Sequence, residues 1–244
     1  MNLYGLIGYP LGHSFSKKYF TQKFEREGLD NCHFELYPLQ QINEFTSLIN
    51  QHQDLKGIAV TIPYKQSVMP FLQSISDEAM EIGAVNCIKI LQGEMIGYNT
   101  DVIGFQQSFK SILKPYHKKA LVLGTGGSSK AVQFALNKLN IPFLLVSRAA
   151  EGANTIAYAE VNESLLKEYS IIINCTPVGM HPNEAAMPAI AYQFITSQHY
   201  LYDVIYAPEE TRFLLQGKLR GADVKNGYDM LVIQAEENWK IWND

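Results

Sequence analysis

The first hundred residues alternate between short apolar runs and stretches in which apolar residues recur every three or four positions. The apolar runs predict strands at residues 4–7, 32–37 and 57–62. The helical spacing predicts helices at residues 16–27, 42–50, 67–71 and 77–82. Residues 84–90 and 94–98 flank a Gln92-Gly93 turn and predict a β-hairpin. Strands that alternate with helices form mostly parallel sheets, so we expect an α/β domain with an antiparallel edge.

The same alternation begins again near residue 101. Helices are predicted at residues 101–113, 130–139 and 229–242. Strands are predicted at residues 120–123, 143–146, 171–174 and 200–204. Because no low-complexity linker or internal repeat marks a boundary, the division into two domains near residue 100 rests on this restart of the pattern.

Composition restricts the class of protein. With 244 residues, 47% of them hydrophobic and 18% charged, the chain has an ordinary globular composition and enough residues for a packed core. The formal net charge is −4 and no run of like charges occurs, which argues against a nucleic-acid partner.

The cysteines and histidines do not suggest a metal site. Cys32, Cys87 and Cys175 are far apart and form no C-x-x-C pair, and the histidines show no ligand spacing. An odd number of scattered cysteines favours a reducing compartment. The N-terminus lacks the features of a signal peptide, and no apolar run approaches the roughly 18–20 residues that cross a bilayer. We therefore expect a cytoplasmic protein with no metal and no membrane partner.

A glycine-rich turn connects a predicted strand to a predicted helix. Residues 124–129 read Gly-Thr-Gly-Gly-Ser-Ser, directly after the apolar run 120–123. In this setting Gly124 permits a tight turn, Gly126 lets the backbone approach a pyrophosphate, and the small Ser129 takes the third glycine position. The bare N–H groups of a helix N-terminus bind phosphate, so the turn predicts a dinucleotide site. A glycine turn without a ligand is the alternative.

The end of the next predicted strand indicates which nucleotide is bound. In dinucleotide folds an acidic residue there binds the ribose 2′-hydroxyl of NAD, but this strand ends in Val146-Ser147-Arg148. An arginine can pair with a 2′-phosphate, so the sequence favours NADP over NAD. The alternative is that Arg148 only solvates the strand end. Glu151 would oppose the preference, and no second cation supports it.

Polar residues cluster where other predicted strands should end. Ser14 and Ser16 precede the first helix and suit a small carboxylate, although each could equally be a simple N-cap. Thr61 and Lys65 flank Pro63 at the carboxyl end of the predicted strand, at the position where α/β proteins bind ligands. Asn86 and the run Asn99-Thr100-Asp101 complete this set.

These segments, taken in order, resemble those of the shikimate dehydrogenase family over nearly the whole chain. The matching segments are Gly12-His13-Ser14-x-Ser16, Val60-Thr61-x-Pro63-x-Lys65, Gly83-Ala84-Val85-Asn86, Asn99-Thr100-Asp101, Gly124-x-Gly126-Gly127, Asn174-Cys175-Thr176-Pro177-x-Gly179-Met180, Tyr202-Asp203-x-x-Tyr206-x-Pro208 and Gly227-x-x-Met230-Leu231-x-x-Gln234. The resemblance implies a two-domain enzyme that reversibly reduces 3-dehydroshikimate to shikimate with NADPH, in the pathway to chorismate and the aromatic amino acids.

The resemblance also implies an architecture and a set of site residues. A substrate domain of residues 1–100 plus 229–244, to which the C-terminal helix returns, would accompany a Rossmann-type NADP-binding domain of residues 101–228. Lys65 and Asp101 would form the catalytic pair. The substrate would be held by Ser14, Ser16, Thr61, Asn86, Asp101, Tyr206 and Gln234. The cofactor would be held by Gly124, Thr125, Gly126, Gly127, Ser128, Ser147, Arg148, Cys175, Thr176, Val204 and Gly227.

Several alternatives stay open at this point. A relative that also oxidises quinate and prefers NAD fits the single arginine after the second strand. A non-catalytic NADP-binding regulator is disfavoured because it has no chemical need for both Lys65 and Asp101. A methyltransferase would be expected to carry an acidic residue in place of Arg148. Cys175 and Tyr206 could be packing residues, and His13 is more consistent with a turn than with a base. The family offers both monomers and homodimers.

Overall fold

Two β-sheets organise the part of the chain that the computed structural model describes, which is residues 1–12, 14–152 and 154–244. The chain divides accordingly into two units. The first unit contains Met1–Thr100 and Ala235–Asp244, and the second contains Asp101–Gln234. The end of the chain therefore returns to the unit in which it began.

The first sheet is mixed. Its strands are β1 (Asn2–Gly8), β2 (Cys32–Pro38), β3 (Leu55–Val60), β4 (Ser74–Ile75), β5 (Cys87–Leu91) and β6 (Glu94–Tyr98), in the order β2-β1-β3-β5-β6-β4. β1 pairs in parallel with β2 and β3, whereas β5 runs antiparallel to β3 and β6. The helices of this unit that precede residue 100 are α1 (Phe15–Glu27), α2 (Glu44–Gln51) and α3 (Asp77–Ile82).

The predicted hairpin is confirmed, but it does not form the edge of the sheet. The two-residue strand β4 pairs in parallel with β6 and lies outside it. A strand this short carries no periodic signal in the sequence. The helix predicted at residues 67–71 is reduced to a 3₁₀ turn, Met69–Phe71, because Pro70 cannot donate a backbone hydrogen bond and Leu72 is extended.

The second sheet is parallel throughout its described pairs. Its strands are β7 (Ala120–Leu123), β8 (Phe143–Ser147), β9 (Thr155–Ala157), β10 (Ile171–Asn174), β11 (Tyr200–Asp203) and β12 (Asp223–Lys225), in the order β12-β11-β10-β7-β8-β9. Its two halves are those of a Rossmann fold, whose ligands bind where the strand order reverses, here between β7 and β10. The predicted α/β class with a Rossmann-type domain is confirmed.

The helices of the second unit are α4 (Asp101–Lys110), α5 (Gly127–Lys138), α6 (Glu163–Glu168) and α7 (Arg212–Lys218). The sequence did not predict α6, α7, β9 or β12, because elements this short depend on tertiary packing more than on periodicity. α5 begins three residues earlier than predicted, so Gly127 and Ser128 form its first turn.

The last helix, α8 (Tyr228–Asn243), anchors its final turns in the first unit. The buried Trp242 donates from Nε1 to the carbonyl oxygen of Ile88 at 3.0 Å and stacks on Tyr4 with ring centroids 5.2 Å apart. Its ring lies so close to Gly57 that an added Cβ there would approach it to 2.3 Å. Lys23 of α1, also buried, bonds Glu236 of α8 at 2.9 Å. Ring packing and an ion pair with a buried lysine thus hold this end of the helix.

We expect Gly57→Ala to lower the free energy of unfolding by about 1–3 kcal/mol, because the new methyl group overpacks a rigid ring. Gly12→Ala is the matched control, since an added Cβ there meets no atom within 4 Å. Urea denaturation of both variants measures the difference. Equal unfolding midpoints for the two would show that Trp242 moves aside without cost.

Candidate active site

The loops that follow β1 and β3 are hydrogen-bonded to each other at the carboxyl edge of the first sheet. Thr61 N–H donates to the carbonyl oxygen of Ile7 at 2.9 Å, and Tyr9 N–H donates to that of Ile62 at 3.0 Å. The strand order of this sheet reverses between β1 and β3, which is where open α/β sheets bind ligands. The predicted substrate residue Thr61 therefore lies at the expected edge.

Ser14 is the N-cap of α1, as the alternative interpretation proposed. Its backbone is extended, with φ −81° and ψ 120°, and its Oγ accepts a long hydrogen bond of 3.5 Å from Lys17 N–H. Ser16 lies in the first turn of the helix and is buried. His13 lies outside the described residues. The capping role does not exclude a ligand, because the first-turn N–H groups of a helix also attract a carboxylate; the substrate role of both serines stays a prediction.

Lys65 and Asn86 are brought to the same edge by main-chain hydrogen bonds. Val85 N–H donates to the carbonyl oxygen of Lys65 at 2.7 Å, and Val60 N–H donates to that of Asn86 at 2.8 Å. Because β5 is antiparallel to β3, the residue that precedes β5 lies beside the residue that ends β3. The structure thus brings Asn86 to the edge where Thr61 and Lys65 lie, although it belongs to a separate segment of the sequence.

A buried polar chain fixes the orientation of the Asn86 side chain. Asn86 Nδ2 donates to Thr100 Oγ1 at 3.0 Å, and Asn86 Oδ1 accepts from Thr100 N–H at 2.7 Å. Thr100 Oγ1 in turn donates to Asn238 Oδ1 at 2.6 Å, a shorter contact than its 3.2 Å alternative to Asn86 Oδ1. A hydroxyl has one hydrogen. Because that hydrogen is donated to Asn238, Thr100 Oγ1 can only accept from Asn86. The NH₂ group of Asn86 must therefore face Thr100 Oγ1.

Sequence reasoning did not identify Asn238. It lies within α8, 138 residues from Thr100, and an asparagine within a helical pattern carries no local signal of such a contact. The motif predicts a role for Asn86, and the buried chain to Asn238 gives that motif a physical basis.

Asp101 and Gln234 lie where α4 meets α8 in the second unit. Asp101 begins α4 and is buried, and Gln234 is buried as well. One turn after Asp101, an added Cβ on Gly104 would lie 2.6 Å from the carbonyl oxygen of Met230 and 3.2 Å from Cβ of Gln234. The glycine therefore allows the two helices to touch near the positions predicted to bind substrate.

The glycine turn has the geometry expected of a phosphate loop. Gly124 has φ +99°, which favours glycine, and its carbonyl oxygen accepts a 2.7 Å bond from Oγ of the fully buried Ser129. Gly126 is the N-cap of α5. An added Cβ on Gly126 would meet no protein atom within 4 Å, so packing within the protein does not require glycine there. Close approach of a ligand does explain it, and the site fits a pyrophosphate.

The two positions predicted to select the nucleotide lie at the end of β8 and directly after it. Ser147 ends that strand, and its Oγ accepts from Ala149 N–H at 3.4 Å. Arg148 is exposed, and it follows a strand whose Val146 pairs with Leu123 of β7. The predicted guanidinium is therefore available at the carboxyl edge beside the glycine turn, where the ribose of a dinucleotide lies in this fold.

The loops after β10 and β11 hold the other predicted cofactor residues. Cys175 N–H donates to the carbonyl oxygen of Leu123 at 2.9 Å, which places the loop beside the glycine turn. Burial raises the pKa of the Cys175 thiol, so it stays protonated and is not a nucleophile at neutral pH. Thr176 Oγ1 donates to Asn174 Oδ1 at 2.6 Å. Cofactor contact by Cys175 and Thr176 stays a prediction.

Gly227 has a structural reason to be glycine. An added Cβ there would lie 2.2 Å from the carbonyl oxygen of Val204, and Gly227 N–H donates to that of Ile205 at 3.0 Å. The close backbone approach ties the segment before α8 to the loop after β11. Tyr206, in the same loop, is half-buried.

Within the described residues, no group of three or more histidine, cysteine or acidic side chains could hold a metal ion. In the same part of the chain, no helix is long and apolar enough to cross a membrane. Cys32, Cys87 and Cys175 are free thiols.

Known proteins resemble this chain over nearly its full length. The family model described as shikimate dehydrogenase substrate binding domain matches residues 6–88. The shikimate dehydrogenase (NADP(+)) of Carboxydothermus hydrogenoformans is 38% identical over 98% of this chain and 91% of its own length.

Solved structures agree. The crystal structure of shikimate dehydrogenase from Aquifex aeolicus has a TM-score of 0.89 at 34% identity, covering 99% of this chain and 92% of that one. The Thermus thermophilus enzyme, solved in complex with NADP(H) and shikimate, has a TM-score of 0.88 at 27% identity, covering 99% of this chain and 93% of that one.

Two glycine variants separate ligand approach from packing. We expect Gly126→Ala to weaken NADP binding roughly tenfold, about 1.4 kcal/mol, because its methyl group intrudes on the bound phosphates. Its free energy of unfolding should change by less than about 1 kcal/mol, since only an N-cap preference is lost. Gly227→Ala should instead lower that free energy by several times as much, because its Cβ meets backbone.

Calorimetric titration with NADP and urea denaturation measure the two effects. Unchanged NADP affinity in Gly126→Ala would mean that the open space at this glycine is not where the phosphates bind.

Proposed function

Because the chain belongs to the shikimate dehydrogenase family, we propose that it catalyses the reversible NADPH-dependent reduction of 3-dehydroshikimate to shikimate, a step towards chorismate and the aromatic amino acids. The observation that carries this proposal is 38% identity with an NADP-dependent shikimate dehydrogenase over 98% of the chain. The motifs predicted to hold substrate and cofactor extend from Gly12 to Gln234.

The cofactor domain would be the second unit. Gly124, Thr125, Gly126, Gly127 and Ser128 would hold the pyrophosphate through backbone N–H groups, and Arg148 would pair with the 2′-phosphate. The remaining contacts to the cofactor would come from Ser147, Cys175, Thr176, Val204 and Gly227. When bound, NADPH supplies the hydride that reduces the ring ketone.

Lys65 is the proposed proton donor. Negative charge develops on the ketone oxygen during reduction, and an ammonium group placed against that oxygen stabilises the charge and supplies the proton. Asp101 would orient Lys65 and accept a hydrogen bond from an adjacent ring hydroxyl. In the reverse direction the same pair would take the proton from the C–OH group of shikimate.

The other predicted residues would position the substrate. Ser14, Ser16 and Tyr206 would bind its carboxylate, and Thr61, Asn86, Asp101 and Gln234 its hydroxyls. For Asn86 the support is physical, since the chain through Thr100 to Asn238 sets the orientation of its amide before any ligand arrives. A preset amide loses less conformational entropy on binding.

A cytoplasmic location is part of the proposal. A step of central biosynthesis takes place where NADPH is produced, and the three free thiols suit a reducing compartment. The partner is a small molecule. The functional state would be a monomer or a homodimer.

The preference for NADP over NAD depends on a single exposed cation. For this reason a quinate- and NAD-accepting enzyme is the second candidate, and a non-catalytic NADP-binding regulator the third. Nicotinamide absorbance during oxidation of shikimate or quinate, with NADP or NAD, distinguishes all three. Turnover restricted to shikimate and NADP supports the proposal. Comparable rates with quinate or NAD would support the second candidate, and NADP binding without turnover the third.

We expect Lys65→Met to lower kcat by about 10²–10⁴-fold, the usual contribution of general acid–base catalysis, with NADP affinity unchanged. Lys56→Met is the matched control, because Lys56 is an exposed lysine of the same unit and should leave kcat unaffected. Steady-state assays and calorimetry give both quantities. Turnover near the wild-type value in Lys65→Met would remove Lys65 from the proposed role.

We expect Arg148→Gln to raise the KM for NADP by about 10–100-fold, which corresponds to the 1.5–3 kcal/mol of a charge-assisted hydrogen bond. The KM for NAD should not change, because NAD lacks the 2′-phosphate. Arg212→Gln, an exposed arginine of the same unit, is the control. An equal rise in KM for both nucleotides would contradict pairing with the 2′-phosphate.

A further inference from the structure

Asp203 is a completely buried carboxylate at the end of β11 for which the proposed reaction has no direct use. Its oxygens accept hydrogen bonds from three parts of the second unit. Oδ1 accepts from Asn174 Nδ2 at 3.1 Å and from Ile205 N–H at 3.0 Å, and Oδ2 accepts from Thr211 Oγ1 at 2.7 Å. A buried charge is costly and is retained where its hydrogen bonds hold something in place.

The bond to Asn174 reaches the loop after β10. An ionised carboxylate can only accept, so Asn174 must turn its NH₂ group towards Asp203. The carbonyl oxygen Oδ1 of Asn174 then faces Thr176 and accepts from its N–H at 3.1 Å and its Oγ1 at 2.6 Å. Thr176 Oγ1 accepts from Val178 N–H at 3.2 Å. Asn174 Nδ2 also donates to the carbonyl oxygen of Val178 at 3.3 Å. Asp203 therefore anchors one amide that binds both Thr176 and Val178, and through it helps to hold residues 176–178.

The bond to Ile205 reaches the loop after β11. It fixes the backbone directly before Tyr206, and the carbonyl oxygen of Ile205 accepts from Gly227 N–H at 3.0 Å. Thr211, the third partner, is the N-cap of α7, where its Oγ1 accepts from Leu214 N–H at 3.3 Å. Two of the three bonds thus lead to loops predicted to touch the ligands, and the third leads to a helix end.

We propose that Asp203 is a positioning residue that holds the Thr176 loop for the cofactor and the Tyr206 loop for the substrate, acting through Asn174 and Ile205. The identity of the two ligands rests on the proposed function. The role of the carboxylate as a shared anchor does not, because it depends only on the contacts of Asp203.

The protonation state of Asp203 offers a specific readout. Burial raises its pKa to about 6, although the bonds from Thr211, Ile205 and Asn174 act in the opposite direction. The titratable groups that interact with it are Cys175, Tyr192 and Tyr202, and burial raises the pKa of each, so all three are neutral near pH 6. A proton on Oδ2 would point at Thr211 Oγ1, whose hydroxyl can turn and accept it, while Oδ1 keeps the bonds from Asn174 and Ile205.

Stability and cofactor binding should respond differently to pH. Between the unfolded pKa of 3.8 and the folded value of about 6, the folded protein binds the proton more tightly, so this group favours folding more as the pH falls. Oδ1 accepts from Asn174 and Ile205 in both protonation states, so the ordering of the two loops should not change over the same range. From Asp203 we therefore expect stability to rise below pH 6 while NADP affinity stays constant.

The test compares Asp203→Leu and Asp203→Asn with Thr211→Val. Asp203→Leu removes every acceptor and should raise the KM for NADP about tenfold and speed amide exchange at Thr176, Val178 and Ile205. Asp203→Asn keeps one acceptor oxygen, so its KM at pH 7.5 should stay within about threefold of the wild type, and its stability should lack the rise below pH 6. Thr211→Val removes the bond that leads to α7 and should lower the melting temperature with little change in KM.

Asn174→Ala keeps the proposal testable if Asp203→Leu does not fold. It breaks the path to Thr176 alone, so amide exchange should accelerate at Thr176 and Val178 but not at Ile205. Hydrogen exchange and calorimetric NADP binding are measured without turnover. A wild type that does not oxidise shikimate would therefore end the proposed function while these readouts still decide the role of Asp203. Variants at Asp203 and Asn174 that lower only the melting temperature, with exchange and NADP binding unchanged, would overturn the proposal.

Discussion

Parallel strand pairing is the constraint on which the rest of this structure depends. When neighbouring strands run in the same direction, the loops that follow them leave from one edge of the sheet, and the sheet order reverses at one gap along that edge. In the first sheet the gap lies between β1 and β3, beside Thr61. In the second it lies between β7 and β10, beside the glycine turn and Cys175. Residues far apart in the chain lie close together at these gaps, because the loops that carry them all leave from the same edge of the sheet.

Buried polar chains then give those loops a defined conformation. In the first unit Asn238 takes the hydroxyl hydrogen of Thr100 and thereby orients Asn86. In the second unit Asp203 accepts a hydrogen bond from the amide of Asn174 and thereby orients its carbonyl oxygen towards Thr176. In both units, a buried oxygen that accepts a hydrogen bond fixes the orientation of an asparagine amide in the same chain. Such chains are costly to bury and become effective only when every member is satisfied.

The glycines differ in whether packing within the protein requires them. Gly57, Gly104 and Gly227 each face a group that a Cβ would strike, namely the Trp242 ring, the Met230 carbonyl oxygen and the Val204 carbonyl oxygen. Gly126 faces no protein atom within 4 Å. The first three are explained by packing, and two of them, Gly104 and Gly227, position the start of the helix that carries Gln234. Packing does not explain the last, and its position at the N-cap of α5 fits the approach of a phosphate.

The sequence by itself determined the α/β class, the Rossmann-type second half, the family and most of the long elements, because apolar runs, helical spacing and glycine turns are local signals. It did not predict β4, β9, β12, α6 or α7, whose short lengths make them products of packing. It placed Lys65, Asn86 and Asp101 in motifs but could not show why Asn86 is oriented as it is. Asn238 and Asp203 went unassigned because their importance comes from partners 138 and 29 residues away. Only the tertiary structure brings such partners together. Sheet register and helix packing fix the hydrogen-bond geometry between distant segments, and the local periodicity of the sequence contains no signal of it.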